Sequence, residues 1–163
     1  MILVIDICKE KLHYLEFVKP IEDILLKENT SFFTRNCLEL KDSDIKKSDK
    51  IIICGTSLKD NDFMMHLDKF GWIKSYKKPI LGICGGSHIM GLALNYKLKK
   101  KKDIGLKELS LKEKFLGITR KLQVYHLHQF SVLPEVFHME NMYATLFHPE
   151  VRNKEIIKNF AEL

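Results

Sequence analysis

Residues 80–90 read Ile-Leu-Gly-Ile-Cys-Gly-Gly-Ser-His-Ile-Met. An apolar run, Pro79 to Ile83, leads into a Gly-X-Cys-X-Gly arrangement at Gly82, Cys84 and Gly86, and a helix-like stretch from Ser87 to Leu94 leads out. Strand, sharp turn and helix in that order make a nucleophile elbow, with cysteine in the place usually held by serine. The turn strains the nucleophile's backbone, and a side chain two residues to either side would collide with it, so glycine is required there. The thiol would sit at a helix N-terminus, whose partial positive charge favours thiolate. A plainer reading of the same residues is a buried cysteine in an ordinary turn.

A second motif shifts the balance. Residues 146–151 read Leu-Phe-His-Pro-Glu-Val, directly after a short strand expected over Met142 to Phe147. A cysteine nucleophile needs a base for its proton and a third group to orient that base. His148 and Glu150 fit those roles in that order, and Pro149 stiffens the turn between them. Cys84, His148 and Glu150 are therefore the expected catalytic triad.

With both motifs in hand, the chain resembles the class I, triad-type glutamine amidotransferase domain. Gly82-Ile83-Cys84-Gly85-Gly86 is similar to that family's Gly-Ile-Cys-X-Gly elbow, and Phe147-His148-Pro149-Glu150-Val151 to its Phe-His-Pro-Glu-Val. Ile2 to Asp6 resembles the opening strand and Ile51 to Ser57 the glycine-containing loop after a central strand. Val124 to Val132 resembles the substrate loop, and Glu155 to Phe160 the closing helix. The resemblance implies a flavodoxin-like α/β fold, an open and mostly parallel sheet with helices on both faces. It also implies hydrolysis of glutamine through a cysteine thioester, without a cofactor, and ammonia supplied to a separate synthase subunit.

The order of elements supports that fold independently, because alternating strands and helices favour a parallel sheet. Nearly all-apolar runs at Ile2 to Ile7, Lys50 to Cys54 and Pro79 to Ile83 suit strands buried on both faces. Ser31 to Arg35 reads as another strand. Tyr14 to Lys27 carries Leu15, Val18, Ile21, Ile24 and Leu25 at helical spacing, and Asp62 to Phe70 reads as a short helix. Shorter strands follow over Leu106 to Leu111 and Lys121 to Leu127. Pro134 to Tyr143 leaves room for little more than a loop, a shortened rim for this family. No repeat or linker is visible, so residues 1–163 are expected to form one domain.

Composition sets limits on function. The net charge is +6, but its densest run, Lys97 with Lys99 to Lys102, has no interleaved aromatics and no nucleic-acid motif beside it. A solvated loop is expected there, and no nucleic-acid partner. No stretch is apolar enough to span a membrane, and Met1-Ile2-Leu3-Val4-Ile5 lacks the charged start of a signal peptide, which points to the cytoplasm. Cys8, Cys37 and Cys54 lack metal-ligand spacing and read as packing residues.

The resemblance also implies the remaining site residues. Gly85, next after the nucleophile, and the Gly55-Thr56 loop would supply the oxyanion donors. The family usually has two glycines where this chain has Gly55 and Thr56. His88 stands where the family usually has glutamine, offering a donor, an acceptor and an available charge near pH 7. His128, Gln129 and Phe130 match the segment that holds glutamine's α-groups. On a strand His126 and His128 would share a face, so a metal pair is conceivable, but no third ligand is evident and no metal is expected. Two rivals remain open, a γ-glutamyl peptide hydrolase on the same scaffold and a non-catalytic regulatory subunit.

Overall fold

The structure, a computed structural model, describes residues 1–163. Strand β1 (Ile2–Asp6) is followed by α1 (Lys11–His13), a π-helical segment (Tyr14–Val18) and α2 (Lys19–Lys27). Then come β2 (Phe32–Asn36), α3 (Asp42–Lys47), β3 (Lys50–Ile53), a kinked 3-10 segment (Asp62–Lys74), β4 (Ile80–Ile83) and α4 (Gly85–Ala93). The chain ends with β5 (Lys99–Ser110), β6 (Lys121–Ser131), β7 (Val136–Met139), β8 (Met142–Thr145) and α5 (Glu155–Glu162).

Six strands form one sheet in the order β2-β1-β3-β4-β8-β7, parallel except for the antiparallel β7–β8 edge. Its two faces are read directly from the strands. Ile2 and Val4 of β1, Ile52 of β3 and Leu81 of β4 face a layer containing Val18, Ile21 and Leu25 with Ile157 and Phe160 of α5. Leu3, Ile5, Ile51, Ile53 and Ile80 face the opposite layer, with Ile45 of α3, Phe63, Phe70, and Ile89 and Met90 of α4. Both faces are covered, so both sets of alternating side chains must be apolar; that produces the unbroken apolar runs of a parallel sheet. Each fully buried Ile or Leu contributes about 1.5–3 kcal/mol.

Several elements depart from the expected pattern. Leu15 does not face the core; it is 54% exposed, while Phe17 is buried. The π segment adds a residue to the turn, which rotates Leu15 outward and Phe17 inward relative to regular helical spacing. The expected helix over Asp62 to Phe70 is a 3-10 segment broken at His66, where φ is −121° and ψ 26°.

Lys99 to Lys102 do not form a loop. They open β5, which pairs antiparallel with β6 in a separate two-stranded ribbon whose register shifts between Lys100 and Asp103. Their exposed lysines suit an unpaired edge. The segment expected to be a substrate loop, Val124 to Val132, is mostly strand β6, with Val124, His126 and His128 turned inward. Pro134 to Tyr143 is more than a loop, since it holds β7 and the start of β8, which pair as a hairpin.

Candidate active site

The carboxyl ends of β3, β4 and β8 bring together Gly55, Cys84 and His148, the place where an open α/β sheet binds ligands. Cys84 has φ 48° and ψ −100°, a strained conformation for a residue with a side chain. Backbone hydrogen bonds hold it: Cys84 N–H donates to Thr145 O at 2.8 Å, Gly86 N–H to Cys54 O at 3.2 Å and His88 N–H to Cys84 O at 3.0 Å. The flanking glycines are sterically required. A Cβ on Gly86 would lie 2.2 Å from Ile53 O, and one on Gly82 would lie 2.5 Å from Met90 Sδ.

His148 Nδ1–H donates to Glu150 Oε1 at 2.7 Å, and both side chains are fully buried. Burial alone would push the imidazole toward its neutral form. The Glu150 charge and the nearby Cys84 outweigh it and raise the pKa of His148 well above its ordinary value. His148 Nε2 is buried without a hydrogen-bond partner. A Cβ on Gly55 would fall 2.7 Å from His148 Cε1 and 3.3 Å from Cys84 Cβ, so only glycine lets this loop fit against base and nucleophile together. The Cys84 thiol also donates to Leu127 O at 3.6 Å.

On the expected oxyanion side, Gly85 opens α4 and Thr56 is buried next to Gly55. Thr56 Oγ1–H donates to Asp60 Oδ2 at 2.7 Å. The same carboxylate accepts Lys9 N–H at 2.9 Å and lies 3.2 Å from His13 Nδ1. Burial would raise the Asp60 pKa, but these donors from Lys9, Thr56 and His13 hold it below the usual carboxylate range. Asp60 thus anchors the Gly55-Thr56 loop, a role with no sequence signature because its partners come from separate segments.

His88 is buried and its Nε2–H donates to Phe130 O at 3.0 Å, tying α4 to the end of β6. Its Nδ1 has no partner. Burial lowers its pKa to about 4, so the charge anticipated near neutral pH is absent. His128 and Gln129 line the small space beside Cys84 together with Thr56, His88 and Leu127; Phe130 does not line it and reaches the site only through its carbonyl's bond to His88.

The model of the glutamine amidotransferase class-I family matches residues 17–141, a span that includes the elbow. The chain belongs to that family. The imidazole glycerol phosphate synthase subunit HisH of Bacteroides fragilis is 29% identical to it over 162 residues, covering 73% of this chain and 82% of that protein. A putative GMP synthase subunit of Thermoplasma acidophilum superposes with a TM-score of 0.82 at 19% identity, covering 99% of this chain and 92% of that one. A glutamine amidotransferase of Thermotoga maritima gives a TM-score of 0.66 at 18% identity, covering 99% and 80%. Both structures share the fold, as the elbow and sheet order lead one to expect of a class-I glutamine amidotransferase.

In this amidotransferase the site is shut. The cavity beside Cys84 measures about 10 Å³, near the minimum for one water molecule. A cleft of about 540 Å³ lies on the other side of the Ser57–Asn61 stretch, lined by Lys9, His13, Ser57 and Asp60. Ser57, Leu58, Asp60 and Asn61 border both spaces, so this loop is the wall between them. The other cysteines are free and buried. Burial pushes Cys37 up to about 11 and raises Cys8 and Cys54 further. No helix is long and apolar enough to cross a membrane.

Proposed function

We propose that this chain is a glutaminase subunit that hydrolyses the side-chain amide of glutamine and supplies ammonia to a separate synthase. The observation that carries the reading is the strained Cys84 elbow set beside the buried His148–Glu150 pair. Cys84 sulfur attacks the γ-carbonyl carbon while His148 Nε2 takes the thiol proton. Glu150 keeps Nδ1 protonated and stabilises the imidazolium. The amides of Gly85 and the Gly55-Thr56 loop receive the oxyanion. As the C–N bond breaks, His148 returns its proton to the leaving ammonia. It then deprotonates a water, which attacks the thioester to release glutamate and regenerate the thiol.

This sequence needs no metal or organic cofactor. Gln129 and the β6 backbone at Phe130 are the groups proposed to meet the substrate's α-amino and α-carboxylate ends, with His88 and His128 supporting them. The relative named as a synthase subunit supports a two-protein arrangement, and the shut cavity supports opening by a partner. The test is ammonia release from glutamine by the purified chain and its co-purifying synthase, with covalent capture by a glutamine-analogue electrophile. Capture at Cys84 with ammonia release supports the reading. Turnover of γ-glutamyl peptides in preference to glutamine would replace it with the peptide-hydrolase alternative, and an inert Cys84 in the complex with the non-catalytic one.

A further inference from the structure

The sequence offers His126 and His128 on one strand face but no third ligand. The β5–β6 ribbon provides one. Asp103 stands directly across from His128 in the strand register, immediately after the irregularity that begins beyond Lys100. Ligand atoms of Asp103, His126 and His128 all lie within 4.8 Å of one another. His126 and His128 are 1% and 2% exposed, and Asp103 is partly buried.

The spacing between the two imidazoles is informative. His126 Nδ1 and His128 Nε2 are 3.2 Å apart. Two nitrogens bound to one tetrahedral zinc at ordinary bond lengths are separated by about 3.3–3.4 Å. His128 is also prepared as a ligand. Its Nδ1–H donates to Lys101 O at 2.8 Å, which fixes the ring and makes Nε2 an acceptor; in this structure Nε2 takes the His126 Nδ1–H, a hydrogen bond that a metal ion would replace once His126 carries its proton on Nε2. That is the usual outer contact of a metal-binding histidine. The His126 ring packs edge-on against Phe147, with centroids 6.2 Å apart, so it too is oriented.

We propose that Asp103, His126 and His128 form a binding site for a divalent transition-metal ion of the zinc type, with a fourth position open. Lys107 Nζ lies 2.7 Å from the Asp103 carboxylate and holds its charge in the metal-free state. A carboxylate has lone pairs enough to serve both the lysine and a metal ion. The ion would join the irregular start of β5 to β6. An isolated two-stranded ribbon is marginal by itself, and β5 is mostly exposed, so a cross-strand metal clasp has a clear mechanical effect. His128 also borders the Cys84 cavity, so occupancy would stiffen the strand that covers the thiol. The site stands on its own geometry and does not depend on the glutaminase reading.

The experiment is titration of chelator-treated full-length protein with Co²⁺, followed by visible absorption, and then displacement by Zn²⁺. The expected result is one Co²⁺ per chain with bands of a four-coordinate nitrogen and oxygen site, and no thiolate charge-transfer band. Asp103→Asn and His126→Gln should each weaken binding at least about tenfold, with circular dichroism reporting whether each variant is folded. Zn²⁺ at a fixed concentration should raise Tm more in wild type than in Asp103→Asn. Cys84→Ser should bind as wild type does. Absence of saturable uptake, wild-type affinity in either ribbon variant, or loss of binding in Cys84→Ser would each overturn the proposal.

Discussion

The Cys84 thiol donates to the carbonyl of Leu127 at 3.6 Å, while His148 Nε2, the nitrogen proposed to accept its proton, has no partner. Nucleophile and base are side by side, close enough for Cys84 to help hold a proton on His148. Strand β6 occupies the thiol's direction and reduces the adjoining cavity to about 10 Å³. Admitting glutamine therefore requires β6 or the Gly55–Asp62 loop to move.

This closed state predicts a slow enzyme in isolation. A pocket this small withholds glutamine from Cys84, and an oxyanion donor left out of place in the Gly55-Thr56 loop would cost roughly a further hundredfold to a thousandfold in rate. Ammonia release by the chain alone should rise by at least about a hundredfold when the proposed synthase partner and that enzyme's acceptor substrate are added. Steady-state ammonia production with and without those additions checks this. Equal rates in both cases would count against partner control.

Labelling should distinguish one cysteine from the other three. Cys8, Cys37 and Cys54 are buried, with thiol pKa values raised mainly by burial, so they hold little thiolate at neutral pH. A glutamine-analogue electrophile should modify Cys84 first, and the Cys84→Ser protein should take up none on the same timescale. Peptide mass mapping after limited exposure reads this directly. Dominant modification at Cys8, whose thiol contacts Gly55 O at 3.7 Å, would move the nucleophile to the other side of that loop.

Much of this architecture is legible in the sequence, for a physical reason. Central strands such as β1 and β3 are buried on both faces, so they appear as unbroken apolar runs. The elbow and the His148–Glu150 pair are local motifs whose geometry depends on near neighbours. What is not legible depends on distant contacts or on phase. Leu15 leaves its expected face because a π segment shifts the helical repeat. Lys99 to Lys102 read as a loop because an edge strand exposed to water carries no apolar alternation. Asp60 and Asp103 carry no local signal because pairing across loops or strands gives each its neighbours. The His88 charge is misread from sequence because nothing local reveals how completely that helix turn is buried.

Gly86 gives a sharp test of the elbow's sterics. An alanine Cβ there would sit 2.2 Å from the Ile53 carbonyl oxygen, and backbone cannot swing aside as a flexible side chain can. Gly86→Ala should lose about 1–3 kcal/mol of stability or more, together with ammonia release. Gly71→Ala is the control, because a Cβ there would meet nothing within 4 Å and its backbone needs no positive φ. Urea unfolding of both variants checks the contrast. A Gly86→Ala protein as stable as wild type would mean that the helix can retreat from β3.

His88 supplies a pH test. Its pKa is about 4 in the folded protein, lowered by burial, against 6.5 ordinarily. Between those values the unfolded chain binds a proton that the folded chain refuses. Stability contributed by His88 is therefore present above about pH 6.5 and is lost as pH falls toward 4, by an amount on the order of 3 kcal/mol. His126 and His128 are lowered as well, so the whole protein's acid sensitivity is not His88's alone. His88→Gln isolates it. Glutamine can still donate toward the Phe130 carbonyl but takes up no proton. The variant should show a shallower loss of urea stability from pH 6.5 to 4 than wild type, while keeping glutamine turnover within about tenfold. His88→Ala, which removes the tie to β6, should instead raise KM more than it lowers kcat. Parallel pH–stability curves for wild type and His88→Gln, together with unchanged kinetics in His88→Ala, would reduce His88 to a packing residue.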